Sequence, residues 1–437
     1  MKRALALMVA ALAMTFWARA YSVEPAATQP TAANIDALIQ QLSSEQWRAR
    51  QQAQERLGEM GDAVVPRLTA LARESNDEEV RSRAEAALKQ IEANNKTAPT
   101  LITLHLKDAP LAAILAEVSR QAKAEIVLWP PLNNQPDQTK LTIDVDRQPF
   151  WTVMKEICTQ AKCSPWPMGQ GREITLQRNM DGFGKAPFCQ YQCFFVSVES
   201  ATRSHTVDYA NPQRVQNNFA VQMKVLADPK LRVLQGPGSL KLEEAVDDNA
   251  NSLIPPGSPY EGYSNQGHWI WTMGTPLQYQ PNLGKKISVL RAKARFVVLE
   301  KSETWEIADV LNAKNQEKKI GAETKYTFKG LSKVGENQYQ AQIVIVNTGK
   351  AVQGRNLHND AGMVQRNLRL VDAQGRSFTN SGYGGGGGFA QLTYSYTFYA
   401  NDGRGQNPGE PVKLIWEIPL ETKEIIVPIE FKDLPLP

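Results

Sequence analysis

Four histidines are the residues of this chain best suited to proton transfer or metal binding, and they are scattered. His105, His205, His268 and His358 each lie in a different strand or loop context, and none has a second His or Cys at metal-ligand spacing. No nucleophile elbow of the Gly-x-Ser-x-Gly type occurs. The sequence therefore predicts no catalytic, cofactor-binding or metal-binding residue. A Ser-His-Asp set assembled only in three dimensions stays open.

The four cysteines could form disulfides. Cys189 and Cys193 lie in a strand-like run, where four residues span about 13 Å, too far for a bridge within one straight strand. Cys158 and Cys163 lie at the end of a predicted helix and just beyond it, and Ser164-Pro165 permits a turn there. A disulfide between Cys158 and Cys163 is therefore a possibility, with buried free thiols as the alternative.

Two further patterns suggest ligands but fit solvated loops better. The glycine run 384–388 lacks the Lys-Ser/Thr and the following helix of a phosphate cradle, so we predict a flexible hairpin loop. The acidic cluster 243–248 does not match a calcium loop of the Asp-x-Asp-x-Asp-Gly kind, which favours a solvated turn.

Aromatic residues in strand-like runs could form a binding platform. Trp269 and Trp271 have the i, i+2 spacing that places side chains on one face of a strand, and so do Tyr394 and Tyr396. If exposed, these rings could stack on sugars or contact a protein partner. If buried, they are sandwich core.

The first twenty residues have the features of a secretory signal peptide. Lys2 and Arg3 precede an apolar run that ends at Trp17, and 18–20 form a small-x-small cleavage site. The alternative is a retained membrane anchor. The segment holds three basic groups and no acid, so its removal lowers the formal charge from +4 to +1. A nearly neutral mature chain gives no electrostatic reason to expect nucleic-acid binding. We expect an exported protein, periplasmic or extracellular, with no transmembrane segment after cleavage.

A flexible leader is predicted at 21–33 and amphipathic helices at 34–95. The run from Arg50 through Gly61 and Pro66 to Leu68 resembles a HEAT-type repeat, in which one helix packs on the next and a Gly and a Pro shape the turn. A weak echo of Trp47 to Arg50 recurs 33 residues later as Val80 to Arg83.

Residues 100–178 contain nearly the same sequence pattern twice. Leu106-Lys-Asp-Ala-Pro-Leu111 opens a helical pattern that ends at Lys123, and Val145-Asp-Arg-Gln-Pro-Phe150 opens another, 39 positions later, that ends at Lys162. Alternating apolar residues before and after each helix predict strand–helix–strand in both halves. The stretch is therefore expected to be one α+β module whose two halves share a core.

The module resembles the secretin and TonB short N-terminal domain, and Thr103–Leu128 and Thr139–Leu176 carry the resemblance. The resemblance implies two helices flanked by small sheets and a role in periplasmic signalling or docking. In this sequence no run of strands long enough for a secretin pore follows it, which favours a relative that keeps the docking fold alone.

Beyond a linker near 179–186 the helical period disappears. Short strand-like runs separated by turns predict two β-sandwich, Ig-like domains at 187–300 and 301–437. The ending Val427 to Pro435 resembles the close of β-sandwich modules in exported planctomycete-type proteins. The predicted fold class is thus multidomain α+β: a HEAT-like helical segment, a duplicated β-α-β domain of the short N-terminal type at 100–179, and two β-sandwiches.

All three kinds of module are common in interaction proteins, and no catalytic pattern accompanies them. We therefore expect a non-enzymatic envelope protein that mediates protein–protein docking or assembly, with envelope proteins as partners. One alternative is a carbohydrate-binding protein that uses the aromatic rows on a polysaccharide. The other is a hydrolase with a site in a sandwich cleft.

Overall fold

The computed structural model describes residues 32–129, 138–167, 173–180, 182–257, 263–264, 269–320, 324–347, 364–365, 367–388, 391–401 and 407–437. The predicted signal peptide and most of the leader lie outside these ranges. The chain divides into two compact units, Met1–Ala98 and Pro99–Pro437. Among the described residues, no helix is both long and apolar enough to cross a bilayer.

The first unit is helical, as its 3.6-residue periodicity predicts. Its apolar stripe includes Leu42, Leu57, Leu68 and Ile91, all buried in one core. The Asp77 carboxylate caps the last helix by accepting the backbone N–H groups of Glu79 and Val80. The helices are α1 Ala32–Gln41, α2 Trp47–Glu59, α3 Val65–Glu74 and α4 Glu78–Thr97, with a 3-10 turn at Gly61–Val64.

The second unit begins with the duplicated α+β module at 100–178, the paired module, which contains two helices and two small sheets. Strands β1 and β3 form an antiparallel pair, and a second sheet has the order β2-β5-β4. Its elements are β1 Leu101–Pro110, α5 Leu111–Ala122, β2 Ile126–Trp129, β3 Lys140–Pro149, α6 Phe150–Ala161, β4 Cys163–Pro165 and β5 Ile174–Arg178. The predicted pair of β-α-β halves is present.

The two halves repeat backbone contacts as well as elements. The Leu111 N–H donates to Thr139 O and the Phe150 N–H donates to Thr100 O, both at 2.8 Å and 39 positions apart. Positive φ angles recur with the same offset, at Asp108 (49°) and Arg147 (47°) and at Lys123 and Lys162 (both 51°). An internal two-fold axis therefore relates the halves, and it passes through the paired residues His105 and Asp144.

The halves differ after their helices. In the first half β2 follows α5, whereas the short β4 takes the corresponding place after α6, and β5 is an additional strand between them. β5 pairs parallel with β2 and antiparallel with β4. The duplicated sequence thus builds one sheet of two strands and another of three.

The remaining strands form two sandwich-like cores. They are β6 Phe188–Tyr191, β7 Phe194–Val207, β8 Val215–Ala227, β9 Val233–Pro237, β10 Lys241–Asp247, β11 Tyr263–Ser264, β12 Ile270–Pro276, β13 Lys286–Ala308, β14 Gln316–Ile320, β15 Thr324–Gly335, β16 Gln338–Asn347, β17 Leu368–Asp372, β18 Thr379–Gly388, β19 Gln391–Tyr399 and β20 Pro411–Pro435. The outer sheets have the orders β12-β8-β7-β6 and β14-β15-β16-β19-β18.

One shared sheet faces both outer sheets, because β13 and β20 run through both cores. They pair antiparallel from Lys286–Pro435 to Ala308–Lys413. The expected division at 300/301 therefore falls inside a continuous strand. Residues near the end of the chain, including Val427 and Phe431, fill the first core. A bulge near Leu299 and Lys301 lies at the position of the predicted boundary.

The two sandwich-like units repeat the same strand arrangement with an offset of 125 positions, a repeat that the sequence pattern alone does not reveal. A bridge joins Val246 to Ser252 in the first and Val371 to Ser377 in the second. Strand order also repeats, since β12-β8-β7-β6 corresponds to β19-β16-β15-β14. β18 is an additional strand on the second outer sheet.

Two local predictions in this region were wrong. The glycine run 384–388 belongs to β18 and pairs with β19, so it is not a hairpin loop. The run that contains Cys189 and Cys193 is not one strand either. β6 and β7 form a tight hairpin there, with Gln192 at a φ of 50° in the turn and Cys193 beside it.

Candidate docking interface

The three-stranded sheet of the paired module has one face in the core and one face outside it. Ile126 and Leu128 of β2 pack against the core, together with the buried Ile174 and Leu176 of β5. Successive side chains of a strand point to opposite faces, so Val127 and Trp129 point to the outer face. Both are half-buried. The helices α5 and α6 thus fix the inner face of β2 and leave an apolar pair on its outer face.

β2 is also an edge of this sheet. Within the described ranges its ladder partner is β5, in a parallel register from Ile126–Ile174 to Trp129–Gln177. The Ile174 N–H donates to Glu125 O at 2.8 Å. Peptide groups alternate in a parallel ladder, so those of Ile126 and Leu128 point away from β5. They form a short row of donors and acceptors along the outer side of β2.

Trp166 extends the outer apolar face. Its backbone N–H donates to Thr175 O at 2.9 Å, which continues the β4–β5 ladder by one residue. Its side chain is 43 % exposed, one of the more exposed large apolar side chains of the paired module. Thr175 also pairs with Val127 on its other side. Val127, Thr175 and Trp166 therefore form one row on this face, in which Trp166 is exposed, Val127 is half-buried and Thr175 is buried.

The composition of β2 is unusual for an open edge. Edge strands are commonly protected by charged side chains, proline or bulges, because their free peptide groups can pair with another chain. β2 is Ile-Val-Leu-Trp, with no charge, no proline and an unbroken register. The opposite edge strand, β4, has three buried residues and ends in Pro165. We therefore take β2 and the outer face beside it as the candidate docking interface.

The two-stranded sheet of the module has a different surface. His105 Nδ1 lies 2.7 Å from Asp144 Oδ1, and both side chains are largely exposed. Lys140 pairs with Asp108 at 2.9 Å, and Thr103 Oγ1 lies 3.2 Å from Asp146. This sheet is polar and solvated, as the alternation of β1 predicted for His105. It offers charge pairs rather than an apolar surface.

The first sandwich-like unit holds the paired module. Trp151 of α6 stacks on Trp269 with ring centroids 5.7 Å apart, and Trp269 Nε1 donates to Glu173 O at 3.0 Å. At the start of the module, the Thr100 N–H and hydroxyl donate to the buried Asp228 carboxylate at 2.7 and 2.8 Å. The module is therefore fixed on the sandwich by an aromatic stack and by a carboxylate anchor.

The residues of the possible aromatic platform, Trp269, Trp271, Tyr394 and Tyr396, are all buried, so they form core rather than a surface. Trp269 belongs to the core of the paired module, whereas Trp271 packs on Phe296 in the first sandwich core. The i, i+2 pair is thus divided between two cores. Tyr394 and Tyr396 share one face, which lies inside the second core.

The acidic cluster 243–248 and His205 make hydrogen bonds or ion pairs with neighbouring residues. In the acidic cluster, Glu244 pairs with Arg291 and Glu243 pairs with Lys293, while Asp247 accepts backbone N–H groups. His205 lies 2.6 Å from Asn217 on an exposed hairpin. His268 and His358 lie outside the described residues. In the ranges that the structure describes, no group of three or more His, Cys, Asp or Glu side chains is placed to hold a metal ion.

Cys158 and Cys163, the possible disulfide pair, are free thiols in the structure and both are buried. The hydrogen bond between the two thiols, together with burial, raises the pKa of Cys158 well above its usual range. Burial raises the pKa of Cys189 to about 11 and that of Cys193 to about 12.

Sequence reasoning placed β2 as a strand but did not identify its outer face as a candidate interface, and Trp166 was missed altogether. The available signal was the uncharged run Ile126 to Trp129, which the sequence follows with two prolines. For Trp166 no periodic pattern existed, since it lies one residue beyond a three-residue strand.

Comparison with known proteins supports the prediction of a HEAT-like helical segment near the N-terminus. The profile of the family described as HEAT repeats matches residues 6–110. The first unit is therefore HEAT-like, and the match covers about a quarter of the chain. No curated protein matches. A solved structure described as "the crystal structure of the conserved domain protein from Bacillus anthracis" is similar at 10% identity, over 56% of this chain and 89% of that chain, with a TM-score of 0.17. Similarity at that level carries no argument about fold or function.

Proposed function

We propose that this chain is an exported, non-enzymatic envelope protein that mediates protein–protein docking, and that a partner strand pairs with β2. The observation that carries the proposal is the uncharged strand β2, which forms an edge of its sheet in the part of the chain that the structure describes, together with the apolar side chains Val127, Trp129 and Trp166 beside it. Strand addition uses both, because main-chain hydrogen bonds supply affinity and side-chain contacts on the outer face supply specificity.

The architecture of the paired module supports the same assignment. Two helices flanked by small sheets are what the resemblance to the secretin and TonB short N-terminal domain implies, and docking is the role that it implies. We assign the module to this type, and the two sandwich-like units to the Ig-like class. The site of action is periplasmic or extracellular, on the basis of the signal-peptide pattern in residues 1–20.

A photo-crosslinking experiment tests the interface directly. Full-length protein carries benzoylphenylalanine at position 127 or, as a matched control, at position 101. Leu101 is an apolar residue of the same module, 40 % exposed, but on the two-stranded sheet. After irradiation in envelope extract, an adduct with a defined protein is expected from position 127 and not from position 101.

Point variants provide the second part of the test. Val127→Lys places a charge on the outer face and should weaken capture of that crosslinked partner by at least about tenfold, because contacts at the centre of an interface dominate its affinity. Leu101→Lys should leave capture unchanged. The same partners from both crosslinking positions, or unchanged capture by a folded Val127→Lys protein, would overturn the proposal.

A further inference from the structure

The two buried thiols of the paired module lie together at the point where helix α6 ends and β4 begins. Cys158 is in the last turn of α6, and Lys162 then adopts a left-handed conformation with a φ of 51°. This residue reverses the chain direction, as is common at helix C-termini. Cys163, the first residue of β4, is thereby brought back to the helix, where its thiol hydrogen-bonds with that of Cys158.

We propose that Cys158 and Cys163 form an intramolecular disulfide that joins the end of α6 to β4. A thiol–thiol hydrogen bond is weak, since sulfur is a poor donor and a poor acceptor. Both side chains are buried in the core of the paired module, so the contact persists as long as the module is folded. The two sulfurs are therefore held next to each other by the fold.

Formation of the bond needs an oxidant, and the matching class is a disulfide such as glutathione disulfide. One cysteine thiolate attacks the oxidant, forms a mixed disulfide and releases one thiol. The second cysteine then attacks the mixed disulfide and releases the other. Two S–H groups of the protein become one S–S bond, and the oxidant is reduced to two thiols. Burial shields both cysteines in the folded chain, so the exchange takes place before the core closes.

The other two cysteines provide an internal control. Cys189 lies near Glu430, and Cys193 lies near Asp228 and Lys230. They occupy a strand and a turn of the β6–β7 hairpin. The structure assigns them no thiol contact of the kind that joins Cys158 and Cys163, so both are expected to stay reduced.

Peptide mapping of the exported, full-length protein tests the proposal. The protein is denatured, alkylated with iodoacetamide without reduction, and digested with trypsin, which cleaves after Lys155, Lys162 and Arg172. Cys158 and Cys163 then fall in separate peptides, 156–162 and 163–172, whereas Cys189 and Cys193 share the peptide 186–203. The expected result is a disulfide-linked pair of the first two peptides and two alkylated cysteines in the third.

Four alkylated cysteines, or any other pairing, would overturn the proposal. A variant adds a second measurement that does not depend on the digest. Dithiothreitol should lower the thermal midpoint of the wild-type protein and leave that of Cys163→Ala unchanged. Equal effects of dithiothreitol on both proteins would also overturn it. Neither experiment uses the β2 interface, so its outcome is separate from that of the docking proposal.

Discussion

Asp247 and Asp372, 125 positions apart, hold the same turn in the two sandwich-like units. Each carboxylate accepts four hydrogen bonds: from the backbone N–H groups two and four residues later, from the side chain four residues later, and from a glycine N–H 37 residues later. The donors are Asn249, Asn251 and Gly284 for the first, and Gln374, Arg376 and Gly409 for the second. Both carboxylates are buried.

Replacement of Asp372 by Asn should destabilise the protein by about 1–3 kcal/mol, because an amide cannot accept hydrogen bonds at its NH₂ group and leaves buried N–H donors unpaired. Urea unfolding measures the change. Asp433→Asn is the matched control, since Asp433 is exposed and pairs with Lys286 at the surface. Its effect should stay within about 0.5 kcal/mol. Equal effects of the two substitutions would contradict the role given to Asp372.

The same carboxylate makes stability depend on pH. Burial raises the pKa of Asp372, but hydrogen bonds from Gly409 and Arg376 lower it by more. The net effect is a pKa of about 2, compared with an ordinary value of 3.8. A carboxyl group with a lowered pKa stabilises the folded state above its unfolded pKa, and this stabilisation is lost as the pH falls through the folded pKa.

The wild-type protein should therefore lose stability between about pH 4 and pH 2, and Asp372→Asn should lose less over the same interval. Thermal midpoints at several pH values in this window measure both slopes. Parallel slopes for the two proteins would show that Asp372 does not contribute to the pH dependence.

Alanine substitutions at two neighbouring glycines of β18 should have different effects on stability. A Cβ at Gly385 would collide with Thr393 O of β19, and the backbone there has a φ of 138°, which side chains disfavour. A Cβ at Gly384 would meet nothing within 4 Å. Gly385→Ala should lower the thermal midpoint, whereas Gly384→Ala should leave it unchanged or raise stability by about 0.4–1 kcal/mol. Similar behaviour of the two variants would contradict the register of β18 on β19.

The Trp151–Trp269 stack predicts strong coupling of the paired module to the first sandwich. Trp269→Ala removes a buried ring and the hydrogen bond to Glu173 O, and it should cost about 3–5 kcal/mol. Tyr209→Ala is the control, because that ring is 93 % exposed on the β7–β8 hairpin. Chemical denaturation distinguishes the two. A loss at Trp269 no greater than that at Tyr209 would mean that the module does not depend on the stack.

The duplication in the paired module could be predicted because the same residue types recur in the same local order in both halves. Pro110 and Pro149 precede helices with the same apolar offsets, and the match continues to Lys123 and Lys162. The position of β5 in the strand order could not be predicted from the sequence, since its parallel pairing with β2 depends on contacts between residues distant in sequence.

The second duplication was missed because few of its residues are identical. Val246, Asp247 and Ser252 recur as Val371, Asp372 and Ser377. Between such points the side chains differ, and the shared geometry lies in the backbone and its hydrogen bonds. The continuity of β13 was missed for another reason. A bulge leaves little sequence signal, so a domain boundary was predicted at 300/301, where one strand passes through.

The shared strands set an order of events for folding. The core of the first sandwich contains Ile425, Val427, Ile429 and Phe431, which belong to the last strand of the chain. As the chain is made from its N-terminus, this core stays incomplete until the final residues arrive. Its closure then requires contacts between residues more than 100 positions apart, which form slowly. A chain that stops before β20 leaves both sandwiches open, because the side of β13 that pairs with β20 then lacks its partner strand.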